Sequence, residues 1–283
     1  MGKILIIPDI HSRDFYKDAI GDISMYDKVV FLGDYLDGYP YEGVSNETGF
    51  SNLLEIIDFK KKNKDKVVLL LGNHDAHYLN RLVNSGRFDF LNAERNAELF
   101  EENLGLFDVA WETEINGKRY FFSHAGVRRG WIESNHDLFV LDDTSTLPSA
   151  DYFNNFLHAG EQSQADRFFV ALSNCSYHRG GWGDSGSMVW SDIHEYFSNR
   201  GVVEEHEYDG VYFIVGHTQQ EQQPIITDYV ACLDVRRPFV LGEDGVIYEM
   251  DGTKAKLFDR KPKTDEEIEE ERRKLEEAMA FFL

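Results

Sequence analysis

Apolar runs that end in carboxylates and imidazoles carry the chemistry of this sequence. Ile4-Leu5-Ile6-Ile7 leads into Pro8-Asp9-Ile10-His11, and Val29-Val30-Phe31-Leu32 into Gly33-Asp34-Tyr35-Leu36-Asp37. Val67-Val68-Leu69-Leu70-Leu71 leads into Gly72-Asn73-His74-Asp75, Lys118 to Phe122 into Ser123-His124-Ala125-Gly126, and Val211 to Val215 into Gly216-His217-Thr218. Oxygen donors mixed with imidazoles suit first-row divalent metals such as Mn, Fe or Zn, and no thiolate set points to a structural zinc. Asp9, His11, Asp34, Asn73, His124 and His217 are too many ligands for one open catalytic ion. They fit two ions sharing one carboxylate, with Asp34 as the natural bridge. Two metals roughly 3.5–4 Å apart clamp the attacking and leaving oxygens of an in-line phosphoryl displacement and lower the pKa of water. Residues i and i+2 of extended chain face the same way, so Asp9 and His11 reach one ion together.

The elements that must position these residues follow from periodicity. Residues 3–7, 28–32 and 67–71 read as buried strands, with a short helix from Phe15 to Ile20 and a longer one from Ser51 to Asn63 between them. This βαβαβ start argues for parallel pairing, which delivers strand C-termini to one edge. Gly38 to Gly49 reads as a loop, and the chain from Asp75 to about Phe107 as mostly helical. Asn116-Gly117 between Trp111–Ile115 and Lys118–Phe122 marks a hairpin. Further strands are expected at 211–215, 229–235, 238–241 and 246–250, giving a mixed sheet or two packed sheets. Residues 128–190 form an aromatic-rich insertion, read either as the core of a subdomain or as a roof over the site, with Trp182 as a candidate lid residue. The domain expectation is 1–260, followed by a C-terminal helix over 261–283. Thr264 and Glu267 fit a capping box there, and Ile268, Leu275, Met279 and Phe282 share one face, suited to docking on the core or to an oligomer contact.

Composition narrows the function classes. The 283 residues carry 29 Lys+Arg against 51 Asp+Glu, a net charge of −22. Broad binding to nucleic acid or anionic membranes needs a basic surface and is not expected. An anionic substrate remains compatible, because bound divalent metals reverse the local field. Cys175 and Cys232 form neither a metal motif nor a disulfide framework. A strand within a few residues of the start leaves no room for a signal peptide, and no run approaches the roughly 20 apolar residues of a membrane span. A cytoplasmic protein is the expectation.

The ordered set PDIH, GDYLD, GNHD, SHAG and GHT resembles the motifs of the calcineurin-like metallophosphoesterases and spans residues 8–218. GHT without a second His two places on is closer to the bacterial and phage serine/threonine phosphoprotein phosphatases than to the phosphodiesterase branch. Val189-Trp190-Ser191-Asp192 and Asn199-Arg200-Gly201 also resemble segments of the phosphoprotein phosphatases. The resemblance implies an α/β fold of two mixed sheets packed face to face, flanked by helices. It implies that Asp9, His11 and Asp34 hold one metal and that Asp34, Asn73, His124 and His217 hold the other, with Mn first and Fe or Zn as alternatives. His74 would be the general acid and Asp37 its partner, while Asp75 reads as a helix N-terminal acid.

One departure bears on substrate. The phosphoprotein phosphatases carry a phosphate-clamping Arg after the second Asp of GD-x-x-D, and here that position is Gly38. Arg200, Arg128 or Arg129 are the sequence candidates for phosphate contact. The expected reaction is hydrolysis of phosphomonoesters, on a phosphoprotein or a small phosphate ester. Dinucleoside polyphosphate hydrolysis, phosphodiester hydrolysis and a non-catalytic binding role on the same fold are the alternatives.

Overall fold

Alternating burial in the strands splits the apolar residues into two layers. The computed structural model describes residues 2–197, 207–259 and 262–280. One sheet has the order β11-β10-β1-β2-β3-β4, with β1 (Ile4–Ile7), β2 (Lys28–Phe31), β3 (Val67–Leu70), β4 (Phe107–Asp108), β10 (Phe239–Leu241) and β11 (Ile247–Glu249). β1 to β4 are parallel, while β10 and β11 add antiparallel at the other edge. The second sheet has the order β5-β6-β7-β9-β8, with β5 (Ala110–Ile115), β6 (Lys118–Ser123), β7 (Val211–Val215), β8 (Ile225–Ile226) and β9 (Val230–Cys232). There β6, β7 and β9 are parallel, and β5 and β8 are antiparallel to their neighbours.

Ile4, Ile6, Val30, Leu32, Val68 and Leu70 of the first sheet pack with Phe122, Tyr212, Ile214 and Ala231 of the second. The residues between them, Leu5, Ile7, Val29, Phe31 and Leu69, belong to the other core with the helices. Period-two alternation therefore builds a sandwich with helices outside, the α/β architecture expected.

The helices are α1 (Tyr16–Ala19), α2 (Asn46–Lys62), α3 (Asn73–Leu79), α4 (Ala93–Asn103), α5 (Arg129–Ser134), α6 (Ala150–Leu157), α7 (Gln162–Leu172) and α8 (Asp265–Ala280). α2 starts five residues before the sequence expectation, because the Ser45 hydroxyl caps it by accepting from Thr48 N at 3.1 Å. The stretch after α3 departs further. Residues 80–92 form a loop, not helix, before α4 begins. Asn116 and Gly117 both take positive φ, the turn the hairpin needs. In the 128–190 segment Trp131, Phe139, Phe153, Phe156 and Phe168 are buried in the helix-side core, whereas Trp182 is fully exposed. Thr264 and Glu267 do cap α8. Ile268 is half-buried, while the side chains of Leu275 and Met279 and all of Phe282 lie outside the described residues. Among the described residues no helix is long and apolar enough to cross a membrane.

Candidate active site

Parallel pairing brings the C-terminal ends of β1, β2, β3, β6 and β7 to one edge, and every candidate ligand follows one of them. The backbone ladder continues past the strands. His11 N donates to Asp34 O at 2.6 Å, Ser12 N to Tyr35 O at 2.9 Å and Gly216 N to His124 O at 2.8 Å. The loops are thus stitched together, and His11, Asp34, Asp37 and His217 are held at positive φ. Non-glycine residues persist in that conformation only where the surroundings over-determine it.

Asp9, His11 and Asp34 form one buried group. Both Asp9 oxygens accept from His217 N, at 3.1 and 3.0 Å. His11 Nδ1 stands 3.2 Å from Leu36 O, so this nitrogen carries the proton and donates. Its Nε2 is left to face Asp34 Oδ2 at 3.4 Å and Asp9 Oδ2 at 4.0 Å. Asp34 Oδ1 accepts from His74 N at 2.9 Å, which turns Oδ2 toward the cluster.

The second group shares that Oδ2. His124 Nε2 lies 3.4 Å from it, and His124 Nδ1 donates to Leu32 O at 2.8 Å. His124 Nε2, His217 Nδ1 and Asn73 Oδ1 converge at 3.0–3.1 Å from one another. Three lone-pair atoms meeting around a buried carboxylate fit a divalent cation. The electrostatics agree. Burial works against charge on His124, yet the Asp34 and Asp9 carboxylates outweigh it and push its pKa up to about 10. Burial, helped by Asp34, also raises Asp9 to about 6. Both shifts report a field that calls for positive charge, which a metal ion supplies. Burial keeps His11 and His217 well below the usual imidazole value, in the neutral form that ligates.

Asp37 anchors a third buried cluster. Its Oδ2 lies 2.9 Å from His74 Nδ1 and 2.8 Å from His77 Nε2, and its Oδ1 accepts from Tyr78 OH at 2.6 Å. His77 and Tyr78 stand on the same helix as His74, so α3 delivers the imidazole and two of the groups that fix its partner. Asp75 caps that helix. Its carboxylate accepts from Gly72 N at 2.8 Å, Asp34 N at 2.7 Å and Tyr35 N at 2.9 Å, tying the β2 and β3 loops together.

A cleft of about 380 Å³ opens onto these groups, lined also by Tyr39, Gly86, Arg87, His178, Arg179 and Trp190. Trp190 meets the His217 ring edge-on at 5.5 Å. Arg128 is placed elsewhere. It pairs with Glu207 Oε1 at 3.0 Å, donates to Glu195 O at 2.8 Å and stacks on Tyr196. Arg129 also turns to Glu207, and Arg200 lies outside the described residues. Arg87, Arg179, His77 and Tyr78 are the residues that sequence reasoning missed. Asn84-Ser85-Gly86 ahead of Arg87 is loop chemistry that could have interrupted the helix reading.

The model of the calcineurin-like phosphoesterases matches residues 2–221. The chain belongs to that family. No curated protein matches it. Among solved structures, a cold-active protein-tyrosine phosphatase of the psychrophile Shewanella sp. superposes with a TM-score of 0.54 at 18% identity, covering 91% of this chain and 81% of the other. The I115M mutant of a cold-active protein tyrosine phosphatase gives 0.51 at 17% identity, covering 87% and 80%. A protein serine/threonine phosphatase from Saccharomyces cerevisiae gives 0.45 at 14% identity, covering 92% and 82%. For the two tyrosine phosphatase structures, at these identities, the likeness is one of fold. Family membership makes the chain a metallophosphoesterase, and its His and Asp clusters are competent to hold divalent metal.

Proposed function

We propose that the chain hydrolyses phosphomonoesters, on a phosphoprotein or a small phosphate ester, with two divalent ions, manganese first. One observation carries this reading: Asp34 Oδ2 stands 3.4 Å from both His11 Nε2 and His124 Nε2. One oxygen thus serves both ligand groups, Asp9 and His11 on one side and Asn73, His124 and His217 on the other.

When bound, the two ions supply Lewis-acid charge to the phosphoryl oxygens and acidify water. The chain's own residues do the rest. Asp37 accepts the Nδ1 proton of His74, which fixes the ring and leaves Nε2 facing the cleft, where it gives a proton to the leaving oxygen. His77 and Tyr78 hold Asp37 in place. His217 N steadies Asp9, and the Trp190 edge steadies the His217 ring. Tyr41, Leu82, Tyr177 and Trp182 are exposed apolar side chains on the loops that carry the cleft walls. Such a rim supports a phosphate carried on a larger molecule. The net charge of −22 disfavours nucleic acid partners, and a cytoplasmic setting belongs to the same proposal.

The test is hydrolysis of p-nitrophenyl phosphate by Mn²⁺-loaded protein, beside the bis-p-nitrophenyl diester and a panel of phosphopeptides and dinucleoside polyphosphates. His74→Asn should lower kcat by roughly 10²–10⁴-fold while keeping metal stoichiometry. Asp34→Asn should lose both metal and activity. Preference for a diester or polyphosphate would replace the monoesterase reading. Wild-type protein that binds metal but hydrolyses nothing would return the chain to a binding role.

A further inference from the structure

We infer that Arg87, from a loop after α3, is the phosphate clamp of this chain and reads the dianionic phosphoryl group of a monoester. The inference rests on the monoesterase reading and names the side chain that orients its substrate. A Cβ at Gly38 would stand 3.2 Å from both His11 O and Ser12 Cβ, so any larger residue there crowds the β1 loop. Arg87 meets this turn from the loop after α3. Its Nε donates to Asp37 O at 3.0 Å, the carbonyl that immediately precedes Gly38.

The guanidinium is aimed and held. It lies over the Tyr39 ring at 3.8 Å, a stacking that fixes its plane. Its Nη2 stands 3.2 Å from His74 Nε2 and 3.4 Å from His11 Nε2, between the general-acid candidate and a metal-facing nitrogen. A phosphoryl group reaching both would touch it. The backbone at Arg87 has φ of 61°, a conformation disfavoured for a side chain of this kind and kept here by the contacts to Asp37 and Tyr39.

Its charge is uncommitted. Arg13 pairs with Glu42, Arg179 with Asp192, Arg128 with Glu207 and Arg236 with Glu42. Among the described residues no carboxylate pairs with Arg87, in a chain where acids outnumber bases 51 to 29. With Nε given to Asp37 O, the half-buried guanidinium presents its Nη groups, which meet no carboxylate, to the non-bridging oxygens of a dianion. A diester, with one charge, uses it less.

Calorimetric titration of Mn²⁺-loaded protein with inorganic phosphate tests this without turnover. Arg87→Ala should weaken phosphate binding roughly 10- to 100-fold, the worth of hydrogen bonds to a charged group. Arg87→Lys, which keeps the charge but not the fork, should fall between. Arg237→Gln, an arginine paired with Glu249 and not lining the cleft, should change the affinity by less than threefold. In turnover, Arg87→Ala should lower kcat/KM for p-nitrophenyl phosphate more than for the bis-p-nitrophenyl diester. Phosphate affinity within threefold of wild type in Arg87→Ala overturns the clamp. Should that variant lose its fold or its metal, Arg87→Lys decides: affinity unchanged from wild type also overturns it. Active wild type with an indifferent Arg87 sinks the clamp alone. Inactive wild type sinks the monoesterase reading, and the phosphate titration still judges Arg87.

Discussion

At the scale of single residues, hydrogen bonds on the far side of each ring decide what the site can do. His11 and His124 each spend Nδ1 on a backbone carbonyl, Leu36 O and Leu32 O, and so present Nε2 to the same Asp34 oxygen. The identities of these ligands were legible in the sequence, because apolar strands ending in Asp, Asn or His are a local pattern. Arg87 was not. Nothing local connects it to Gly38, and the two meet only through the fold. The cysteines offer a check at this scale. Cys232 is fully buried, its thiol 3.3 Å from Gly216 O and 3.2 Å from Thr218 O, and burial pushes its pKa well up. Cys175 is half-buried, with its pKa raised more modestly by the same cause. Thiolate is the reactive form. A disulfide reagent near neutral pH should therefore label at most Cys175 in the native protein and both cysteines in guanidinium. Rapid native labelling of Cys232 would contradict the packing behind the His217 loop.

Elements carry the next level, and α3 shows it best. Its first turn contributes Asn73 and His74, its next His77 and Tyr78, and its N-terminal acid Asp75 binds three backbone N–H groups of two loops. The sequence placed Asp75 as a helix N-terminal acid, which it is. Its hold on Asp34 N and Tyr35 N depends on β2 lying beside β3, a register no local pattern states. The same reason explains Arg128. It follows the His124 motif in sequence, but the helix that starts behind it turns its side chain toward Glu195 and Glu207. The aromatics of 128–190 were ambiguous because core and lid draw on the same residue types, and tertiary packing resolved most of them into core. Asp75→Ala would strand three buried donors together and should cost about 3–5 kcal/mol. Asp75→Asn, which keeps acceptor oxygen, should cost less. Urea midpoints of the metal-free variants measure both, and equal losses would mean that charge, not hydrogen bonding, ties the loops.

For the whole molecule, the balance is between a sandwich that packs apolar faces and an edge that gathers buried acids. Strand order and the two-sheet division were only partly readable. The sequence announced the parallel start, but which later strands join which sheet depends on crossovers, and β10 returns to pair with β1 across more than two hundred residues. That return closes the edge on Asp9 and Asp34, whose carboxylates stand in one buried cluster, and the His124 shift shows how strongly the field there favours a cation. Any ligand that binds only the folded state stabilises it by mass action. A divalent ion does more here, since it supplies the positive charge that the buried acids favour. At a thousandfold excess over Kd, metal should contribute on the order of 4 kcal/mol per site. Stripping the protein with a chelator should then lower Tm by roughly 10 °C at the sensitivity expected for a domain near this size. Mn²⁺ should restore it, and Ca²⁺, which prefers a larger cage of oxygens alone, should restore less. Asp34→Asn removes charge from the cluster and breaks both ligand groups at once, so it should lose less Tm relative to wild type in chelator than in Mn²⁺, where only wild type gains the ions' stabilisation. If chelation leaves Tm within about 1 °C while metal analysis confirms removal, the buried acids are balanced by protein groups alone, and the two-ion reading of Asp34 fails with them.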